Sequence, residues 1–356
     1  MIMFIKKIIY YYFNLFNLRG NKNKSKWKKY NYPEEKNFEN SKIKVGIVKE
    51  AWNLHYYYII ACNELNISYK VLDIFSVNWL EEFINSKVNV LIFRPSVQYS
   101  PWKQMFDNRI KLLKNYSNII IFPNPELMWL WESKKRLYEW LKINNYPLIE
   151  TKIFYSKDEA LQFARETNYP VVYKADNASG ASGIKIIKNY YILKRLIKKC
   201  FGRGVRTYRK HPSDKEHGFI ILQKYLPDIL EWRIFRMGNY YFGFQKLKKG
   251  KFHSGSHQFG YGMPPIEALN LVRNITEKHK FFHTSFDIFI DKENNLYINE
   301  IQVYFGQYQD RELLRINNKP GRLFYNNTTN SWTFEEGEFC KNNMANIRLQ
   351  TLLDEF

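Results

Sequence analysis

Cysteine is scarce in this chain. Cys62, Cys200 and Cys340 are the three cysteines in 356 residues. Their number is odd and their spacing matches no metal-binding pattern. Neither a disulfide framework nor a cysteine metal cage is expected, and a reducing compartment is the default. Long apolar runs are missing too, and nothing reaches the ~20 apolar residues that span a bilayer. No internal repeat occurs, and no serine or cysteine sits in an arrangement that suggests a covalent nucleophile.

What is present is mostly ordinary. The length suggests two or three structural units. Hydrophobic residues make up 45% and charged residues 25%, as in globular proteins generally. The net charge is less ordinary, at +21. Such a field attracts anions, whether nucleic acid, acidic lipid headgroups, or acidic small molecules and glycans, without choosing among them. Part of it comes from the start of the chain, where Lys6, Lys7, Arg19 and the Lys22–Lys29 tract stand without an acid. No small-residue cleavage site follows the apolar stretch there, which argues against a signal peptide. Two readings stay open for residues 1–30. One is an interfacial helix with Ile, Phe and Tyr in lipid and lysines at the headgroups. The other is a terminus that folds against the body. The expected location is cytoplasmic, at the inner face of the membrane if the first reading holds.

Residues 31–42 form a polar linker after which alternation begins. "KIKVGIV" (42–48), "SYKVLDI", "VNVLIFRP" and "NIIIFP" read as strands, with "LHYYYIIACNELN" as a helix among them. Short apolar runs separated by helical patterns predict a parallel α/β unit over 43–125. "ESKKRLYEWLKINNYP" reads as a helix closed by Pro147. Ser156 with Glu159 makes a capping box for the next one. "YPVVYKA" and "SGIKIIK" are strands, and an α+β unit is expected over 126–225. A second α+β unit over 226–311 contains the strands "WRIFRMG", "YYFGFQKL", "FDIFI" and "LYINEIQV" and the helical "PPIEALNLVRNITEKHKFF". The remainder, 312–356, is Asn-rich with weak periodicity.

Two stretches carry chemistry. In "VVYKADNASGASGIKII" (171–187), Lys174 ends one strand and a loop of small residues leads into the next. A Rossmann fingerprint or Walker loop would lead into a helix, and Ile184 occupies the position of the Walker lysine. What remains is either a plain tight hairpin or a flap closing on phosphates. In the flap, backbone N–H groups make an anion nest and glycine permits close approach. Lys174 then supplies a positive charge. The second stretch, "FDIFIDKENNLYINEIQ", sets Asp287 on one strand and Glu300 and Gln302 on one face of the next. Acids embedded in apolar strands are costly unless paired or metal-bound. Three oxygen-bearing side chains there would suit Mg²⁺, which combines carboxylates with substrate phosphates.

Over roughly 43–310 these elements resemble the ATP-grasp superfamily. The resemblance implies an N-terminal parallel α/β subdomain followed by two α+β subdomains that clasp ATP. "ESKK" before a helix implies Lys134 as a phosphate lysine, with Lys135 the second choice. The flap implies Lys174 with Ser179, Gly180, Ala181, Ser182 and Gly183. "ILQKYLPDILEWRIFRMG" is similar to the adenine hinge. It places Gln223 at the adenine amino group, the Lys224 and Leu226 backbone at the ring edge, Glu231 at the ribose and Arg233 further along. Asp287, Glu300 and Gln302 correspond to the metal ligands, for Mg²⁺ or Mn²⁺. Gln223 and Gln302 depart from the pattern, which has Glu and Asn there.

The reaction the resemblance implies is ATP-dependent joining of a carboxylate to an amine, ADP-forming, through an acyl phosphate. Phosphoryl transfer asks mainly for position and charge neutralisation, and flap closure would keep water from the intermediate. For the acceptor, Lys246, His253, His257 and Arg311 are candidates to meet an anionic substrate or intermediate, against the bland alternative of a solvated basic loop. A sugar acid of a cell-surface glycan or its precursor fits the charge. A small-molecule amino-acid or peptide ligase is an alternative, and so is an ATP-binding regulatory protein without ligase activity. The basic stretch 201–212 could meet nucleic acid, but no RNA-binding motif accompanies it.

Overall fold

The computed structural model describes residues 30–50, 54–94, 99–178, 183–206, 214–248, 258–303 and 311–354. In the first of three main sheets, Lys44–Val48 lies between Ser68–Leu72 and Val90–Ile92 and runs parallel to both. Ile120–Phe122 continues the parallel set, and the short Glu35–Lys36 closes the other edge in antiparallel sense. The uninterrupted apolar runs predicted this arrangement, because a parallel strand is buried on both faces. Gly46 reflects the same crowding: a Cβ there would stand 2.7 Å from Leu91 Cδ1.

The helix Tyr56–Glu64 is buried on nearly every side. A second apolar surface must therefore cover it, and the C-terminal helix Ala345–Leu353 supplies that surface. Leu349 and Leu352 join the cluster of Tyr57, Cys62 and Val45. Leu349→Ala is expected to cost about 2–5 kcal/mol, the usual range for a fully enclosed leucine. The check is a lower urea midpoint at an unchanged slope.

The second sheet is antiparallel, in the order Thr151–Phe154, Ile220–Lys224, Val171–Lys174, Ile184–Ile187. Helices Lys157–Glu166 and Tyr190–Cys200 contribute Ala160, Ala164, Leu193 and Ile197 to its core. Ser156 caps the first of them, accepting from Glu159 N at 3.3 Å.

The third sheet runs Leu296–Gln302, His283–Ile290, Leu230–Met237, Tyr240–Lys246, Lys319–Asn326, Arg315–Ile316. Phe259–Gly260 and Ser331–Glu336 pair onto it. Helix Ile266–Lys278 packs on Leu230–Met237. The Asn-rich tail thus supplies three strands to this sheet besides the helix Ala345–Leu353. Its turns explain the asparagines: Asn317, Asn318 and Asn330 have φ of 51°, 63° and 50°, a left-handed conformation that Asn tolerates in tight hairpins. First and third sheets share a core that includes Phe106, Leu127, Met128, Ile234, Phe286 and Ile301.

Candidate nucleotide site

One row of side chains crosses the third sheet. Phe244 faces Arg233, Arg233 faces Asp287, and Asp287 faces Glu300 across successive strands. Directly opposed residues share a face, so the row is set by register. Glu231 and Lys246 oppose each other one step along the same face.

These groups neutralise one another at short range. Arg233 grips Asp287 with two parallel bonds, Nε to Oδ1 at 2.6 Å and Nη2 to Oδ2 at 2.7 Å. Lys246 Nζ donates to Asp287 Oδ2 at 2.5 Å and to Glu231 Oε1 at 2.6 Å. Asp287 is 0% exposed. Burial alone would raise its pKa, but Arg233 and Lys246 outweigh burial and hold it down at about 2. For Glu231 burial prevails over Lys246, and its pKa is raised. Arg311 joins this side, its guanidinium 3.6 Å from the centre of the Phe259 ring.

The second sheet brings the two lysines. Lys174 is the last residue of Val171–Lys174, 6% exposed, and its Nζ donates to Asn299 Oδ1 at 2.8 Å. Lys134 opens the helix Lys134–Ile143. Its Nζ donates to Ala178 O at 2.6 Å and lies 3.8 Å from Glu300 Oε1 and 3.9 Å from Glu132 Oε2. Glu300 is therefore where the two sheets meet. Burial lowers the Lys174 pKa to about 8, with Glu300 opposing and Lys134 reinforcing that shift. Lys134 suffers the same burial penalty, but Glu300, Glu132 and Asp176 more than offset it, and its pKa is raised.

Asp176 fastens the site. Its Oδ1 accepts from Ser133 Oγ (3.0 Å) and Lys135 N (2.9 Å), tying the start of the lysine helix to the base of the small-residue loop. Glu216 accepts from the Asp176 and Asn177 amides, both at 2.9 Å. Gly183 belongs to this base: a Cβ on it would lie 2.6 Å from the Ala175 and Ala178 methyls. Ser179, Gly180, Ala181 and Ser182, together with His253 and His257, lie outside the described residues.

The residues expected at an adenine hinge start on strand Ile220–Lys224. Gln223 Nε2 donates to Thr151 Oγ1 at 2.9 Å, and the Lys224 amide is committed to Glu150 O at 2.9 Å. Leu226 follows the end of strand Ile220–Lys224. Glu231 sits inside the charge cluster, with one carboxylate oxygen held by Lys246. Lys135 stacks over Phe219 at 3.8 Å and stands 3.9 Å from Asp176, whereas Lys134 lies near Glu300 and Glu132. Asn299, Glu132, Asp176 and Glu216 were not singled out by sequence reasoning. Asp176, two residues beyond Lys174 in "YKAD", is the one with a local signal.

Among the described residues, no group of three or more His, Cys, Asp or Glu side chains could hold a metal ion. Two carboxylates and an amide are present instead. Gln302 Nε2 donates to Glu300 Oε2 at 2.8 Å, which leaves the Gln302 carbonyl as a potential ligand. That set suits a cation bringing phosphate oxygens with it and is too sparse for a metal held by protein alone.

Residues 134–211 match the family model described as carbamoyl-phosphate synthase L chain, ATP binding domain. No curated protein matches the sequence. Solved structures do. The biotin carboxylase domain of Hydrogenobacter thermophilus 2-oxoglutarate carboxylase, crystallised with MgADP, ADP and bicarbonate, aligns at TM-score 0.53 and 17% identity. The alignment covers 78% of this chain and 66% of that one. Aspergillus clavatus carboxyaminoimidazole ribonucleotide synthase, complexed with ATP, aligns at 0.51 and 12%, over 78% and 71%. A RimK domain ATP-grasp protein of Sphaerobacter thermophilus aligns at 0.51 and 11%, over 73% and 91%. The fold is that of the ATP-grasp proteins. The ATP-grasp match at 134–211 spans both Lys134 and Lys174, the two lysines that converge on the third sheet.

Proposed function

We propose that this protein is an ATP-dependent carboxylate–amine ligase, ADP-forming, working through an acyl phosphate. The observation that carries the reading is the convergence of Lys134 and Lys174 on Glu300, at the seam between two sheets of an ATP-grasp fold. Lys134, Lys174, Arg233, Lys246 and Arg311 would offer the cations that a triphosphate and an anionic acceptor call for. Glu300, Gln302 and Asp287 would hold Mg²⁺, which would neutralise charge developing on the transferred phosphoryl group. Arg233 and Lys246, bonded to Asp287 and to Asp287 and Glu231 respectively, would turn to phosphate oxygens when the nucleotide binds. Gln223, Lys224 and Leu226 would border the adenine, and the small-residue loop would cover the phosphates. A carboxylate is a poor electrophile, and phosphorylation turns its hydroxyl-equivalent oxygen into a leaving group that an amine displaces.

The net charge of +21 favours an anionic carboxylate, and a sugar acid of a cell-surface glycan or its precursor is the class we infer. Cys62, Cys200 and Cys340 are free and buried, in keeping with a cytoplasmic setting. Among the described residues no helix is long and apolar enough to cross a membrane. The proposed contact of residues 1–30 with the inner membrane face falls on a segment of which only Tyr30 is among the described residues, and liposome flotation with and without it tests the contact. The test of the reaction is ADP release from ATP and Mg²⁺ with panels of carboxylates and amines. Release that requires both partners supports ligation. Tight ATP binding with no turnover across the panel would point to a regulatory nucleotide-binding protein.

A further inference from the structure

The third sheet has a second polar site on the face away from the nucleotide cleft. Arg236 lies three residues beyond Arg233 on the same strand and so points to the opposite side. Tyr241 opposes it across the strand pair. Helix Ile266–Lys278 roofs this face with Arg273 and Glu277. Between roof and sheet is a cavity of about 450 Å³, lined also by Tyr325 and Asn327.

Its charges do not balance. Arg236 is 3% exposed. Its Nε donates to Gly238 O (2.8 Å) and its Nη1 to Thr276 Oγ1 (2.7 Å), both neutral acceptors. Among the described residues the carboxylate paired with it is Glu277, at 3.9 Å, and Glu277 is shared with Arg273, whose Nε is 3.0 Å away. Glu335, on the rim, is already engaged by Arg322 through two bonds of 2.8 and 3.0 Å. Two guanidinium groups thus divide one carboxylate. The Nη2 of Arg236 has no hydrogen-bond partner among the described residues. A buried charge without a close counter-ion is costly, and burial accordingly lowers the Arg236 pKa. The buried Tyr241 hydroxyl has no well-formed hydrogen bond among the described residues either. Arg236 and Tyr241 are both among the residues that line the cavity.

We propose that this cavity binds a small organic oxyanion, a phosphate or carboxylate head on a hydroxylated body, at a site separate from the nucleotide cleft. The planar fork of Arg236 fits either head. The volume falls within the range of small-molecule sites and is far larger than a bare phosphate requires. Phenol rings and asparagine amides around the rest suit a sugar-like body.

The test is titration calorimetry on the full chain with ribose 5-phosphate, gluconate and inorganic phosphate, each with and without saturating ATP. Saturable binding of ribose 5-phosphate, gluconate or both, undisturbed by ATP, is expected, and the two arms separate phosphate from carboxylate recognition. Arg236→Gln should weaken that binding about tenfold or more, the worth of one charge-assisted hydrogen bond. Arg273→Gln should weaken it comparably, and this more exposed position serves if Arg236→Gln does not fold. ATP binding should be unchanged in both. The proposal falls if no probe binds saturably at millimolar concentration, if ATP displaces the bound probe, or if Arg273→Gln and any folded Arg236→Gln bind as the parent does.

Discussion

Asp287→Asn is expected to destabilise the protein by about 3–5 kcal/mol, the usual consequence of removing one member of a buried ion cluster. The substitution keeps shape and volume, so packing is not the cause. What it removes is the charge that Arg233 and Lys246 both face at 2.5–2.7 Å. Two cations would then share Glu231, whose own pKa is raised. Arg233→Gln, by contrast, leaves Lys246 on Asp287 and should cost less. The pH dependence gives an independent check. The folded-state pKa of Asp287, about 2, lies below the usual Asp value of about 3.9. A depressed carboxylate contributes stability that is fully present above its unfolded value and is lost as pH falls through its folded one. The parent should therefore lose stability between about pH 4 and about pH 2 by more than Asp287→Asn does. Asp287→Asn with Lys246→Met should recover part of the loss, because it removes the unpaired ammonium together with its partner. A loss under about 1 kcal/mol, as for exposed pairs, would mean that water reaches the cluster and that the row across the third sheet is open.

How much of this was legible beforehand depended on whether the signal was local. The parallel strands of the first sheet announce themselves as short apolar runs. Lys174 stands out because a lysine ends a buried strand beside a run of small residues. Glu300 stands out because a carboxylate lies between Ile298 and Ile301 in an apolar strand. Partners distant in the chain left no such trace. Nothing in the sequence joins Glu216 to the Asp176 amide 40 residues away, or Lys174 to Asn299 at a separation of 125. The strand Ile220–Lys224 illustrates the same limit. The expected unit over 126–225 contains it, but its pairing with both Val171–Lys174 and Thr151–Phe154 was not legible, because periodicity reports that a segment is a strand and not which strand it joins. The tail was hidden for a different reason. Tyr, Trp and Asn in Lys319–Asn326 and Ser331–Glu336 blur the alternation between faces. Helix Ala345–Leu353 is apolar on more than one side because it is wedged against Tyr56–Glu64. The Asn317–Asn318 pair was the available clue, since adjacent asparagines between two β-like runs mark a two-residue hairpin.

Lys174→Met is expected to lower ADP formation by roughly 10²–10³-fold, the scale for removing one preorganised charge-stabilising group, without lowering stability at neutral pH. The two halves of that statement share one cause. The ammonium is buried, and its pKa of about 8 lies well below the ordinary lysine value of about 10.4. The folded protein therefore holds this charge at a cost, which methionine, close to the same length, does not incur. The sign follows from proton counts: between about pH 8 and about pH 10 the unfolded chain binds the proton and the folded one does not, so the lysine protein gains stability with rising pH and the methionine variant does not. Nucleotide affinity should move the other way. A triphosphate calls for the charged lysine, which is already protonated below about pH 8. Above that, binding must take up a proton, and affinity should fall by up to about tenfold per pH unit. Titrations of MgATP from neutral pH to about pH 9, in buffers of differing ionisation enthalpy, would record both the fall and the proton uptake. Methionine should flatten the lysine-dependent part of that curve. If the parent and Lys174→Met lose affinity in parallel over that range, Lys174 does not meet the phosphates, and the cleft at Glu300 is not where the nucleotide reacts.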